Sequence, residues 1–182
     1  LGLSRPHMPY KGLIMAILIS PMIVPLIITA AGMFFFYARI NLVYSFTGII
    51  LAHVALATPF VVITVTATLV GFDMNMVKAS QSLGARPVRT FFKVIMPLIL
   101  PGVISGALFA FITSFDEVVI VMFMASLDQL TIPKQMWAGI RQEISPVILC
   151  MATCLVVLSI LLLTTVELLR RRSEKLRGIT SR

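Results

Sequence analysis

Four long apolar runs separated by short polar stretches set the pattern of this chain, and each is long enough to cross a bilayer as a helix of about 20 residues. The first covers about residues 12–36 and carries Pro21 and Pro25, which predict a kink. The second covers about 46–70 and is interrupted by His53 and Pro59. The third covers about 97–125 and carries two acids, Asp116 and Glu117. The fourth covers about 146–166; Ser145 is placed as its N-cap and Pro146 at its first helical position, where a missing N–H is harmless. The pattern predicts an all-α integral membrane protein with four transmembrane helices.

Composition supports this class. The chain is 59% hydrophobic, with a mean hydropathy of +1.03, where soluble domains average about 45–50% apolar residues. The formal net charge of +8 would suit nucleic acid, but the cations cluster at the ends of the apolar runs. They fix orientation instead. Of the 15 Lys and Arg, all but Arg39, Lys134 and Arg141 fall before the first run, between the second and third, or after the fourth. Cytoplasmic loops collect such residues, so both chain ends and the 71–96 loop are expected in the cytoplasm, with 170–182 as a basic cytoplasmic tail. Phe34, Phe35, Phe36, Tyr37 and Tyr44 then fall at the outer interface. Cys150 and Cys154 lie one helical turn apart in an apolar run and read as small apolar filler, not a disulfide. No initiator Met and no signal peptide open the sequence, which predicts a chain beginning inside a longer protein.

The 71–96 loop is basic and helix-forming. Asp73 is placed to cap a short helix over about 74–82, with Met76, Ala79, Ser80 and Leu83 on one face and Lys78 and Gln81 elsewhere. Gly84 supplies a turn, and Pro87 starts a second helix. There Val88, Phe91, Phe92 and Ile95 recur at helical spacing, opposite a stripe of Arg86, Arg89 and Lys93. Spacing alone allows two roles: an interfacial helix whose cations meet lipid phosphates, or a rigid two-helix elbow that receives force from a partner.

Polar residues inside the runs are the other candidates for chemistry. Asp116 lies 15 residues beyond Pro101, or about 22 Å of helix, in the outer part of the bilayer. Intramembrane carboxylates are costly and usually face a cavity or partner. Either the helix ends there and the acids are solvated, or they line a path suited to a cation. Gly102, Gly106, Ala110 and Ser114 recur every fourth residue on the same run; this suits close helix packing, with a substrate-facing groove as the other possibility. His53 is expected to make an interhelical hydrogen bond in preference to relaying protons, and Thr64 and Thr68 to bond backbone carbonyls. In the 128–144 segment, Pro133 is placed to start a helix with Met136, Trp137 and Ile140 on one face, an interfacial anchor. The sequence holds no G-x-x-x-x-G-K-[ST] phosphate loop, no H-E-x-x-H pair, no metal-ligand cluster and no evident inverted repeat.

The loop resembles the conserved cytoplasmic loop of inner-membrane permease subunits of binding-protein-dependent (type I) ABC importers. The family pattern of Glu-Ala-Ala, three residues, Gly, about nine residues and a closing Ile/Val-x-x-Pro aligns with Lys78-Ala79-Ser80, Gly84 and Val94-Ile95-Met96-Pro97. Lys78 reverses the charge of the usual Glu, whereas Ser80 is close in size to the usual Ala. The segments Leu51-Ala52-His53-Val54, Leu56–Val62, Ser114-Phe115-Asp116-Glu117, Thr131–Trp137 and Ile144-Ser145-Pro146 are similar to the spermidine/putrescine subgroup.

The resemblance implies a six-helix permease of which residues 1–169 form the N-terminally incomplete domain. It implies a non-enzymatic subunit with no cofactor of its own, ATP and Mg being bound by a partner ATPase. The expected partners are an ATPase dimer, a second permease subunit, a periplasmic solute-binding protein and the lipid bilayer, with no nucleic acid. The expected coupling surface is Lys78, Ala79, Ser80, Leu83, Gly84, Ala85, Arg86 and Pro87. The expected substrate path holds Asp116, Glu117 and Trp137, and the expected cargo is a polyamine or similar organic cation. An ion-coupled secondary transporter using His53, Asp116 and Glu117 is the rival of another class. Opine, thiamine-like or ferric-ion cargo is the rival within the ABC reading.

Overall fold

The computed structural model describes residues 2–4, 8–142 and 145–176, and every regular element among them is helical. In chain order these are α1 (Lys11–Ile23), α2 (Leu26–Arg39), α3 (Phe46–Val70), α4 (Asn75–Ser82), α5 (Pro87–Thr90), a π-helical turn (Phe91–Ile95), α6 (Met96–Phe115), α7 (Val119–Met124), α8 (Ile132–Gln142) and α9 (Pro146–Leu176). Three stretches are long and apolar enough to cross a membrane: Phe46–Val70, Pro87–Phe115 and Pro146–Thr165. The α1–α2 pair makes a fourth if it is counted as one span.

The first apolar run departs from the single kinked helix its prolines predict. Its two halves meet at 108°. Pro25 has no N–H to continue α1, and its ring forces Val24 into extended backbone at ψ 136°. The carbonyl of Pro25 then accepts the amides of Ile28 and Thr29 and starts α2.

The second run folds as predicted. Ser45 caps α3 by accepting the Gly48 amide at 3.0 Å. The Pro59 ring is accommodated inside the helix. α3 runs against α6, and the small-residue stripe is a packing face. A Cβ at Gly102 would overlap the Thr68 side chain, and one at Gly106 would stand 2.6 Å from Thr64 Oγ1. Phe60 and Phe109 stack with ring centroids 6.3 Å apart. Thr64 and Thr68 turn their hydroxyls back onto Phe60 O and Thr64 O at 2.8 and 2.9 Å, as expected, so no donor is stranded in the contact. In a bilayer such close backbone approach, not exclusion of water, holds helices together.

The third run is shorter at its C-terminal end than the predicted 97–125, and longer at the other. It ends at Phe115, Asp116 adopts a non-helical cap (φ −99°, ψ 5°), and α7 is a separate helix. At the other end Pro87–Phe115 is continuous, so the second loop helix is the span's own first turns. The π-helical turn inserts one residue into that stretch and shifts its faces. Thr90 and Ile95 are buried while Val88 and Phe92 are exposed, which divides the predicted Val88–Phe91–Phe92–Ile95 face.

Two clusters hold the chain together. One joins Ala30 of α2, Ile49, Ala52 and Leu56 of α3, and Ile120, Val121 and Met124 of α7. The other joins Leu69, Ile95 and Ile99 at the opposite end of the α3–α6 pair. α9 begins at Pro146 and runs past the predicted domain end at 169 to Leu176; residues 177–182 of the basic tail lie outside the described residues. Cys150 and Cys154 are free thiols on the exposed face of α9, so they fill no core within this chain.

Candidate functional site

Two places carry the residues singled out by the sequence: the polar loop at one end of the α3–α6 pair, and the break between α6 and α7 at the other.

In the loop, Asp73 Oδ1 accepts the Asn75 amide at 2.9 Å in the turn ahead of α4, but the N-cap position falls at Met74 and not, as expected, at Asp73. Gly84 sits at φ 78°, in the left-handed region. Its amide bonds Gln81 O at 2.9 Å and the Ala85 amide bonds Ser80 O at 3.1 Å, a paired C-terminal cap that requires this backbone shape. Arg86 is extended, and Pro87 opens the long helix. The Ser80 and Thr90 hydroxyls meet at 2.7 Å, tying α4 to the first turn of that helix. Val77 packs against the inner cluster of Leu69, Ile95 and Ile99. Met76, Ala79 and Leu83 remain exposed, Leu83 at 88%. Lys78, Arg86 and Pro87 are exposed as well, and Ala85 is half-buried. Of the face grouped by helical spacing, only Ser80 turns inward; the rest is exposed, as the cations are.

At the α6–α7 break, consecutive acids part company. Asp116 is exposed and Glu117 is buried at 5%. The Glu117 carboxylate accepts the Ile120 amide at 2.8 Å and the Val121 amide at 3.2 Å, satisfying two donors at the start of α7. His53 of α3 stands beside it, with Nε2 at 3.7 Å from Glu117 Oε2. His53 Nδ1 lies 2.7 Å from Ser114 Oγ, the interhelical bond expected of it. His53 Nε2 is buried without a hydrogen-bond partner among the described residues, and at 3.7 Å it approaches the Glu117 carboxylate without bonding it. Nothing in the sequence marks Ser114 as the partner of His53, because only the α3–α6 packing brings them together.

Asp116 and Glu117 border an open cleft of about 640 Å³, whose other wall is the bent corner Pro21–Leu26. Trp137 is not on it. Trp137 lines a second, apolar cavity of about 470 Å³ between α8 and α9, together with Met136 and Ile140, and among the described residues Asp116 is the one acid there. The three residues expected along one path are thus divided between two hollows that share Asp116. The exposed Trp137 ring also carries the Arg141 guanidinium, 5.7 Å from its centroid, so that face already has a cation. Lys134 donates to Ser126 O at 2.9 Å and fixes the connection that precedes α8.

Membrane-length helices, a polar loop braced against them and a carboxylate on an open cleft define a protein of the multi-span membrane class. Residues 2–175 match the family described as binding-protein-dependent transport system inner membrane component, and the chain belongs to that family. It is 30% identical over 174 residues to the spermidine/putrescine transport system permease protein PotC of Haemophilus influenzae, covering 96% of this chain and 68% of that protein. It is 29% identical to the protein of the same description from Escherichia coli K12, covering 96% and 66%. It is also 29% identical over 140 residues to the putrescine transport system permease protein PotI of Escherichia coli K12, covering 74% and 50%. The chain thus spans about two thirds of the length of the first two relatives and half of the third.

Proposed function

We propose that this chain is the permease subunit of an ATP-driven importer that moves a polyamine, spermidine or putrescine, or a similar organic cation across the inner membrane. The observation that carries this reading is the family match over 2–175, joined to relatives named for spermidine and putrescine transport. The exposed carboxylate of Asp116 on the cleft supports a cationic cargo, since an amine is attracted there by about 1–4 kcal/mol at 4 Å, depending on how wet the site is.

In this reading ATP is hydrolysed on separate ATPase subunits, with Mg, and this chain binds neither. The ATPases dock on the 71–96 loop, where Leu83, Met76 and Lys78 stand free and the Ser80–Thr90 bond passes the load to the spanning helix. A second permease subunit completes the path, and a solute-binding protein delivers the cargo from outside. Both chain ends and the loop lie in the cytoplasm. ATP binds one arrangement of the ATPases better than the other, and the braced loops transmit that preference to the spans.

The test is uptake of labelled putrescine and spermidine by cells stripped of their own polyamine importers and supplied with this permease, its ATPase and its binding protein. Saturable uptake that disappears when the ATPase carries an inactivating substitution supports the reading. Absence of uptake for both amines in a correctly assembled complex refutes the cargo.

A further inference from the structure

The sequence groups Asp116 and Glu117 as equal members of a substrate path, but their environments are opposite. Glu117 spends both carboxylate oxygens on the Ile120 and Val121 amides and is 2% exposed at its side chain. It has little left to offer a solute. A buried carboxylate is tolerated only when it is well bonded and its charge is answered. Here the amides supply the bonds, and His53, bonded to Ser114 through Nδ1, sets its otherwise unpartnered Nε2 at 3.7 Å from the carboxylate. The far end of α7 is tied to the same helix: the Tyr44 amide, just before α3, donates to Met124 O at 2.9 Å. α7 is therefore fastened to α3 at both ends, and its inner face of Ile120, Val121 and Met124 is fully buried. With Glu117 anchored inward, the cap geometry of the preceding residue turns Asp116 outward to the cleft.

We propose that Glu117 is a positioning residue, not a cargo contact: held by His53, it sets the course of the chain so that Asp116 alone presents its charge to the cation. This rests on the polyamine reading given above.

The experiment compares Asp116→Asn, Glu117→Gln, Glu117→Ala and the double variant Asp116→Asn/Glu117→Ala in the complete transporter. Readouts are the KM and maximal rate of labelled spermidine uptake and the melting temperature of the purified complex. A Gln side chain keeps one oxygen for the Ile120 amide and puts an NH2 where Oε2 accepts Val121, so Glu117→Gln is expected to hold KM within about twofold while lowering the maximal rate and the melting temperature. Asp116→Asn is expected to raise KM about fivefold or more. Glu117→Ala is expected to raise KM as Asp116→Asn does, and the double variant to add nothing, because both act through one carboxylate. A Glu117→Gln variant whose KM rises as far as that of Asp116→Asn would overturn the proposal, and this comparison stands even where the alanine variant fails to assemble.

The melting temperatures of His53→Ala, Glu117→Gln and their combination form an independent arm. Non-additive losses are expected, whereas additive losses would remove His53 from the account. If the unsubstituted transporter shows no polyamine uptake, the cargo assignment fails alone, and the melting cycle still decides whether His53 holds Glu117.

Discussion

The Ser80 and Thr90 hydroxyls lie 2.7 Å apart, and Thr90 is 2% exposed. This one bond joins the short loop helix to the helix that spans the membrane, across the Gly84 turn. Ser80→Ala leaves a buried hydroxyl without that partner, at a cost of about 1–3 kcal/mol. The expected outcome is uptake reduced several-fold while ATPase still co-purifies and hydrolyses ATP, because load transfer is weakened and docking is not. Uptake and ATP hydrolysis falling in parallel would place Ser80 in the docking contact itself.

Gly84 tests the same connection through backbone shape. At φ 78° it meets no atom of this chain that a Cβ would strike, so within the chain a loss on substitution comes from backbone strain. Gly84→Val should cost about 1–2 kcal/mol or more and strongly reduce uptake with insertion intact. Gly84→Asn should retain most of it, because Asn visits this region readily. Equal loss for Val and Asn, measured at matched membrane levels, would mean that the backbone is not what matters there.

The α3–α6 seam makes a prediction about stability. A Cβ at position 106 stands 2.6 Å from Thr64 Oγ1 and 3.2 Å from Val61 Cα. Gly106→Ala should lower the melting temperature of the purified complex, by about 1–3 kcal/mol of overpacking. Thr64→Ala removes the nearer atom and should restore part of the loss in the double variant. Additive destabilisation would show that the helices separate instead of rubbing at this point.

The loop and both chain ends are assigned to the same, cytoplasmic side. A reporter that fluoresces only in the cytoplasm should be active when fused after Arg182. One active only outside should work when inserted near Asp128. The opposite pair of results would invert the orientation and move the Asp116 cleft to the wrong face.

Much of this was legible in the sequence because it is local. α3 occupies Phe46–Val70 because a hydrophobic run with Ser45 before it and Gly71 after it specifies both ends. The Gly84 turn and the start at Pro87 follow from residues that permit few other conformations. The paths of the two acids were not legible. No Pro or Gly marks the stop at Phe115, and apolar character continues through Met124, so period and length alone extend the helix. The stop is accompanied by a local contact, Glu117 accepting the amides of Ile120 and Val121 three and four residues on, and by a non-local one, a histidine from another span beside it. The π-helical turn was hidden for a similar reason. Its inserted residue is fixed by how Thr90 and Ile95 seat against α3 and α4, which a one-helix periodicity cannot register. Pro25 announced a bend but not its 108°, at which α1 lies against α3 and α2 against α7.

The central claim is ATP-driven import of an organic cation through this subunit, and proteoliposomes holding the complete transporter test it most directly. ATP is supplied on the ATPase side and labelled spermidine with its binding protein on the other, with and without a protonophore. The account predicts accumulation that requires ATP, is unchanged when ion gradients are collapsed, and weakens several-fold in Asp116→Asn. Accumulation without ATP that follows an imposed proton or sodium gradient would contradict it and would turn the His53–Glu117 pair into the first place to look for the coupling ion.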